Sequence, residues 1–193
     1  ANANQVLDAL GKMEMTDKLR AAKGEALICR AYAHFVLVNI FCQQYDPNYP
    51  DDMGIPYMEK AETELDPKYE RGTVAEVYAK IEKDIEEGLP LIDDAIYSVP
   101  KYHFNRKAAY SFAARFFLYY QKWDKAAEYA SEALTNAPES QLRDYEALLE
   151  YPMNNGSTQN TAATYYISTD LPCNYLLATA YSSSGTYFGG YSS

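Results

Sequence analysis

Acidic side chains are the first residues of this chain to consider for chemistry. A glycosidase needs two carboxyl groups held about 5–10 Å apart across a cleft. Pairs such as Asp51 with Asp52 and Asp93 with Asp94 are adjacent in sequence, and adjacent residues do not by themselves face one another across a cleft. The sequence therefore gives only weak support for glycoside hydrolysis.

The histidines and other oxygen ligands offer no stronger site. His34 and His103 lack partners at the spacing of a metal site or a catalytic triad. The sequence also contains no Gly-rich phosphate loop and no GxSxG motif. Asp46, Asn48 and Asp51 could contribute oxygen ligands to a calcium ion, but no calcium-binding loop frames them. We therefore predict no catalytic residue, no metal site and no cofactor.

Charge and composition exclude some classes of partner. The 193 residues carry a formal net charge of −10 at pH 7, which repels nucleic acid and disfavours a basic membrane-binding patch.

The first ten residues, ANANQVLDAL, lack the basic and apolar regions of a signal peptide, so the protein is either cytoplasmic or derived from a chain whose leader was removed. Cys29, Cys42 and Cys173 show no CxxC spacing and are interpreted as small buried hydrophobic residues.

Apolar residues recur at three- and four-residue steps in four segments, which predicts helices over 17–44, 73–89, 105–121 and 124–136. The first helix has an apolar stripe of Leu27, Ala31, Phe35, Val38, Phe41 and Tyr45. The prolines and glycine of DPNYPDDMGIP then begin a loop that runs to about Gly72. Thr73 and Glu76 form a capping box for the second helix. Its apolar stripe is Val74, Val77, Ile81 and Ile85, and its charged residues are expected to face solvent: Glu82, Lys83, Glu86 and Glu87.

The stretch NRKAAYSFAARFFLYYQKWDKAAEYASEALTNAP, from Asn105 to Pro138, sets small residues among aromatic ones. A close helix crossing needs small residues at the contact, and this order is typical of a 34-residue tetratricopeptide unit. The positions concerned are Tyr110, Ala113, Ala114 and Phe117, then Ala126, Ala130, Ala133 and Pro138. The segment AHFVLV (33–38) is similar to ARFFLY (114–119), so the first two helices are predicted to form another such pair, split by a long insertion.

These patterns predict an all-α fold of tetratricopeptide-like antiparallel helix pairs, an α-α superhelix with long loops. Residues 1–150 are expected to form this helical scaffold. Residues 151–193 are rich in Tyr, Ser and Gly, and we predict an irregular C-terminal loop extension whose end at GGYSS is interpreted as a truncation.

Four motifs follow one another along the chain: EA…RAYA, then GIP, then RGTVAEVYAKIEKDI, then ARFFLY. Their residues are Glu25, Ala26, Arg30, Ala31, Tyr32 and Ala33; Gly54, Ile55 and Pro56; Arg71, Thr73, Val74, Glu76, Val77, Tyr78, Ile81, Asp84 and Ile85; and Ala114, Arg115, Leu118 and Tyr119. In this order the motifs resemble those of the SusD/RagB family of outer-membrane nutrient-binding lipoproteins, over roughly residues 17–190.

The resemblance implies a non-enzymatic protein on the surface of the outer membrane, held there by an N-terminal lipid anchor that this sequence does not include. It implies a helical scaffold that faces a TonB-dependent, SusC-like transporter and hands it a captured oligosaccharide or polysaccharide. Because family members are much longer, it also implies an excised portion or a truncated relative. The matched residues themselves are expected to pack helices.

Sugar capture needs flat aromatic faces beside groups that pair with hydroxyls, and two regions offer that mixture. The first, YDPNYPDDMGIPY, supplies Tyr45, Asn48, Tyr49, Asp51 and Tyr57. The C-terminal region supplies Tyr165, Tyr181, Tyr187, Asn160 and Asn174. The alternative at either region is a solvated loop whose tyrosines fold back on the helices.

A different function also remains open, that of a tetratricopeptide-type scaffold binding a protein or peptide segment in its groove. Such a scaffold needs at least three stacked repeats. The sequence shows two helix pairs, and the first of them contains a long insertion. This count favours the glycan-binding interpretation.

Overall fold

The computed structural model describes residues 2–64, 67–134, 138–151, 165–166, 168 and 170–176. Six α-helices lie in these ranges: α1 (Asn2–Leu10), α2 (Asp17–Phe41), α3 (Val74–Gly88), α4 (Arg106–Tyr119), α5 (Trp123–Ala133) and α6 (Tyr145–Leu149). Short 3₁₀ helices occur at Leu89–Leu91, Asp94–Ile96, Pro100–Tyr102 and Pro138–Gln141. The predicted all-α fold is confirmed. The four predicted helices correspond to α2–α5, whereas α1 and α6 have no counterpart among the predictions.

The chain divides into two compact units, Ala1–Thr135 and Asn136–Ser193. The first unit contains α1 to α5, and the second contains α6. The boundary expected after residue 150 lies within the second unit. The two helix pairs therefore belong to one compact body.

The helices α2 and α3 form the first antiparallel pair. Thr16 caps α2, and a capping box of Thr73 and Glu76 begins α3, as predicted. The start of α2 meets the end of α3 at two glycines: a Cβ added to Gly24 would lie 2.8 Å from the Gly88 carbonyl oxygen. The small residues at this crossing are therefore glycines rather than alanines.

The helices α4 and α5 form the second antiparallel pair that the alanine pattern predicts. Near the start of α4, Arg106 Nη2 lies 3.4 Å from Oε2 of Glu132, near the end of α5. Further along, the rings of Phe117 and Tyr129 are 5.2 Å apart. Ala113 and Ala133 are buried, which is the role that the tetratricopeptide pattern assigns to them.

The core lies among α2, α3 and α4. Its largest fully buried side chains are Tyr78, Phe116, Phe117, Ile28, Ile81, Ile85, Val38 and Val77. The stripe predicted on α3 is buried throughout. The stripe predicted on the first helix is buried up to Val38 but wrong at Phe41, which is 67% exposed because α2 ends there and the chain turns into the loop.

The charged face of α3 is not fully solvated, so that expectation is wrong for Glu82. Its side chain is only 15% exposed, and its carboxylate lies 2.6 Å from Lys122 Nζ and 2.8 Å from Lys125 Nζ. Burial acts to raise the pKa of Glu82, but the hydrogen bonds from the two lysines hold it below its ordinary value. These pairs fasten α3 to the start of α5.

By length and composition, α2 resembles a membrane-spanning helix. The same criterion is met by the core helices of globular domains. Ile28 and Ala31 are fully buried, and Arg30 forms an ion pair with Asp84 of α3. These contacts identify α2 as the central core helix of the first unit.

Candidate functional site

The loop after α2 begins with two consecutive turns. The carbonyl of Asp46 accepts the N–H of Tyr49 at 3.0 Å, and Pro47 takes the turn position that suits its fixed φ. Oδ1 of Asp46 also accepts from the backbone and side-chain nitrogens of Asn48, both at 2.8 Å, as in an Asx turn. The carbonyl of Tyr49 then accepts the N–H of Asp52 at 3.3 Å. Short-range bonding thus defines the shape of residues 46–52.

Helix ends anchor this loop on both sides. The carbonyl of Asp52 accepts the N–H of Val74 at 2.7 Å, at the start of α3. The side-chain Nε2 of Gln121 donates to the Tyr45 carbonyl at 3.3 Å, from the turn between α4 and α5. The helix pairs therefore set the distance between the loop and that turn.

The turn that carries Gln121 is a Schellman motif at the end of α4. The N–H of Lys122 donates to the Phe117 carbonyl at 2.9 Å, and the N–H of Gln121 donates to the Leu118 carbonyl at 3.2 Å. Gln121 has φ of 61°, the left-handed conformation for which glycine is usual and other residues cost about 1–2 kcal/mol. This conformation brings the Gln121 amide to the loop.

A cavity of about 460 Å³ lies between the loop and the turn. Its volume falls within the range of about 300–1,000 Å³ that is typical of ligand sites. The side chain of Tyr49 is 64% exposed, so its ring is accessible to a ligand. The lining residues are Gln43, Gln44, Tyr45, Asp46, Tyr49, Asp52 and Gln121.

Tyr45 forms a fixed aromatic wall of this cavity. Its ring stacks on Tyr78 with 5.0 Å between centroids and meets Tyr120 edge-on at 4.7 Å. Burial raises the pKa of Tyr78 and of Tyr120 to about 12, so both hydroxyls stay neutral at physiological pH. The Tyr78 and Tyr120 rings therefore support Tyr45 without adding charge behind it, while Tyr49 supplies a second ring at the opening.

The lining suits a ligand with apolar ring faces and many hydroxyl groups. Aromatic rings pack against apolar faces, carboxylates accept hydrogen bonds from hydroxyls, and carboxamides both donate and accept. In the described ranges, no three or more His, Cys, Asp or Glu side chains are grouped as metal ligands.

A second polar cluster, centred on Arg30 and Asp84, joins α1, α2, α3 and the loop. Arg30 donates to both carboxylate oxygens of Asp84 at 2.6 Å, and the two side chains are 12% and 4% exposed. The Tyr57 hydroxyl donates to Asp84 at 2.6 Å. Arg30 also donates to Asn4 at 3.2 Å, and Asn4 donates to the Met58 carbonyl at 2.8 Å. The motif residues Arg30 and Asp84 thus fasten the helices to the loop.

His34 is a neutral member of this cluster. Its Nε2 accepts the Met58 N–H at 2.9 Å, so the ring proton is on Nδ1, which donates to the Arg30 carbonyl at 2.8 Å. Its ring stacks on Tyr57 with 3.9 Å between centroids. Burial lowers the pKa of His34 and raises the pKa of Tyr57. Both groups are held in their neutral forms, in structural roles.

The structure separates the residues predicted in the first region. Tyr45 and Tyr49 line the cavity, Asn48 bonds to Asp46, and Asp51 is exposed on the same loop. Tyr57 lies apart from them, bound to Asp84 and His34.

The residues predicted in the C-terminal region belong to the second compact unit. Tyr165 stacks on Tyr151 with 4.4 Å between centroids. Asn174 donates to the carbonyls of Tyr166 and Ser168, at 3.0 and 2.7 Å. Three further predicted residues lie outside the part of the chain that the structure describes: Tyr181, Tyr187 and Asn160.

Sequence reasoning did not assign several lining residues to a binding site. Gln43 and Gln44 immediately precede the predicted region and could have been included by proximity. Asp46 and Asp52 were considered only as calcium or catalytic carboxylates. The sequence around Gln121 does not indicate a role in binding, because its partner Tyr45 is 76 positions away. It does not indicate a left-handed turn either, because such turns are usually recognised by a glycine.

One family model matches the sequence over residues 1–118, and its description is SusD-like, starch-binding, associating with the outer membrane. A search of curated proteins found no significant match.

Several solved structures share the fold. One from Bacteroides vulgatus is 27% identical and superposes with a TM-score of 0.65, covering 83% of this chain and 36% of its own. A SusD-like carbohydrate binding protein from the same species is 25% identical, with a TM-score of 0.62 and coverage of 86% and 37%. A laminarin-binding SusD-like protein is 21% identical, with a TM-score of 0.59 and coverage of 82% and 34%, and shows the fold alone. The chain spans about a third of the length of these proteins.

Proposed function

The chain belongs to the SusD-like family described as starch-binding and associating with the outer membrane, and on that basis we propose that it is a non-enzymatic protein that captures a glycan. We assign the capture site to the cavity lined by residues 43–46, Tyr49, Asp52 and Gln121. The observation that carries this assignment is the exposed Tyr49 ring beside carboxamides and carboxylates. A pyranose offers the matching features, an apolar C–H face and a rim of hydroxyls.

The site is organised before a ligand arrives, which favours recognition. The turns of residues 46–52 are closed by their own hydrogen bonds, and helix ends hold both sides of the loop. Such preorganisation lowers the entropy cost of binding. Gln121 carries local backbone strain in its left-handed conformation. That conformation brings its side-chain amide to the cavity.

Tyr49→Ala is expected to weaken glycan binding by at least about tenfold, a loss of about 1.4 kcal/mol. The reason is that the substitution removes the accessible aromatic face of the cavity. The measurement is isothermal titration calorimetry against laminarin, starch and a panel of other polysaccharides. Tyr145→Ala is the matched control, because Tyr145 is also 64% exposed but lies on α6 in the other compact unit. Equal losses in the two variants would contradict the assigned site.

Gln121→Gly separates binding from folding. Glycine adopts the left-handed conformation without strain, so we expect the free energy of unfolding to stay unchanged or rise by about 1 kcal/mol. Glycan affinity is expected to fall, because the lining amide and its hydrogen bond to the Tyr45 carbonyl are both lost. Unchanged affinity in a stably folded Gln121→Gly protein would remove this turn from the site.

We propose further that the protein is a surface-exposed outer-membrane lipoprotein that delivers its glycan to a TonB-dependent, SusC-like transporter. The support is the outer-membrane association in the family description. Immobilised protein incubated with detergent-solubilised outer membranes of the encoding organism is expected to retain such a transporter, identified by mass spectrometry. An unrelated tetratricopeptide domain serves as the control bait. Retention by both baits, or by neither, would count against delivery to a transporter.

A further inference from the structure

The charge of the residues that line the cavity affects which class of glycan can bind there. We propose that the site selects uncharged glycans and rejects those carrying carboxylate or sulfate groups. This inference rests on the proposed function, because it names the ligand class of the same cavity.

The lining residues supply negative charge only. Asp46 and Asp52 are carboxylates, and the other five lining residues are uncharged: Gln43, Gln44, Tyr45, Tyr49 and Gln121. Asp51 adds an exposed carboxylate to the same loop. The formal net charge of the whole chain, −10, has the same sign. An anionic sugar entering the site therefore meets repulsion at short range and at long range.

The basic residue nearest in sequence to the lining does not offset the negative charge of the cavity. Lys122 follows Gln121, but its Nζ lies 2.6 and 2.7 Å from the two carboxylate oxygens of Glu82. It also lies 4.3 Å from the centroid of the Tyr120 ring. Its charge is thus engaged with α3 and the aromatic wall. Recognition of an acidic sugar normally depends on arginine or lysine at the ligand, and the lining contains neither.

The same carboxylates favour neutral sugars. One oxygen of Asp46 is engaged by Asn48, and the other forms no hydrogen bond or ion pair among the described residues. Carboxylates are acceptors only, so they pair with hydroxyl hydrogens and repel another carboxylate. Two such groups in one cavity combine hydroxyl recognition with exclusion of anions.

The test compares polymers with the same backbone and different charge. Laminarin and starch are titrated beside their carboxymethyl derivatives, with hydroxyethyl derivatives as neutral controls for added bulk. At low ionic strength, like charges in contact lower affinity about fivefold per pair even in water, so the carboxymethyl forms are expected to bind at least about fivefold more weakly than the hydroxyethyl forms. Raising the salt from about 0.01 M to about 1 M shortens the Debye length from about 30 Å to about 3 Å. The ratio of hydroxyethyl to carboxymethyl affinities should then move toward one.

An Asp46→Asn, Asp52→Asn double variant provides the internal check. The ratio of hydroxyethyl to carboxymethyl affinities is expected to fall toward one, whatever the absolute affinity of the variant. Carboxymethyl forms that bind the unaltered protein as tightly as hydroxyethyl forms would overturn the charge selection while leaving glycan capture standing. Failure of every neutral and charged polymer to bind would overturn both proposals.

Discussion

Asp84→Ala is expected to destabilise the protein by about 3–5 kcal/mol, the usual cost of removing one partner of a buried ion pair. The Arg30 guanidinium would stay buried, at 12% exposure, without the two 2.6 Å bonds that neutralise it. The Tyr57 hydroxyl would lose its 2.6 Å acceptor and keep only the Lys80 carbonyl, at 3.5 Å. Urea unfolding at neutral pH, followed by circular dichroism, measures the loss of free energy.

Lys80→Ala provides a matched control for that prediction. Lys80 also pairs with a carboxylate, 2.8 Å from Glu59, but the two side chains are 45% and 49% exposed. Exposed pairs contribute about 0–1 kcal/mol. The free energy of unfolding of this variant should therefore stay within about 1 kcal/mol of that of the unaltered protein. If Asp84→Ala costs no more than Lys80→Ala, the cluster does not hold the helices together.

Gly24→Val is expected to cost about 3 kcal/mol, at the upper end of the usual penalty for overpacking. A Cβ at Gly24 would lie 2.8 Å from the Gly88 carbonyl oxygen and 2.8 Å from Leu91 Cβ. The carbonyl belongs to the last turn of α3 and cannot rotate away, so α2 and α3 must separate. The same urea experiment reports the loss.

Gly11→Val is the matched control, because the added side chain has room at Gly11. A Cβ there would be 3.5 Å and 3.6 Å from the Leu7 and Asp8 carbonyl oxygens, which are ordinary contacts. We expect a change of about 0.5 kcal/mol or less, as for most surface substitutions. Similar losses at Gly11 and Gly24 would show that the effect comes from valine itself rather than from the helix crossing.

The helix pairs could be predicted because their signals are local. Apolar periodicity, the capping box at Thr73 and the alanines of α4 and α5 are all contained within single helices. The pairing of α2 with α3 could be inferred from the similarity of AHFVLV to ARFFLY, although the crossing glycines were not singled out. Helix α1 was missed because the contacts that hold it are distant in sequence, as for Asn4, whose partners are Arg30, Met58 and Lys60.

The candidate site could be predicted only on its loop side. Tyr45 and Tyr49 stood out because tyrosines among Asn, Asp and Pro indicate a recognition loop. Gln121 and the role of Tyr57 depend on tertiary contacts: one reaches the loop from another helix pair, and the other turns into the Arg30–Asp84 cluster. The solvent exposure of Glu82 was misjudged for the same reason, since its lysine partners lie at the start of another helix.

The measurement that tests the central claim most directly is to locate a bound glycan. Amide chemical shifts of the isotopically labelled protein would be followed by NMR during titration with the polysaccharide that binds most tightly in the calorimetric panel. The account predicts that the largest shifts occur in residues 43–52 and at Gln121, with saturation at the calorimetric affinity. Saturable shifts confined to other residues, with this loop and turn unaffected, would contradict it.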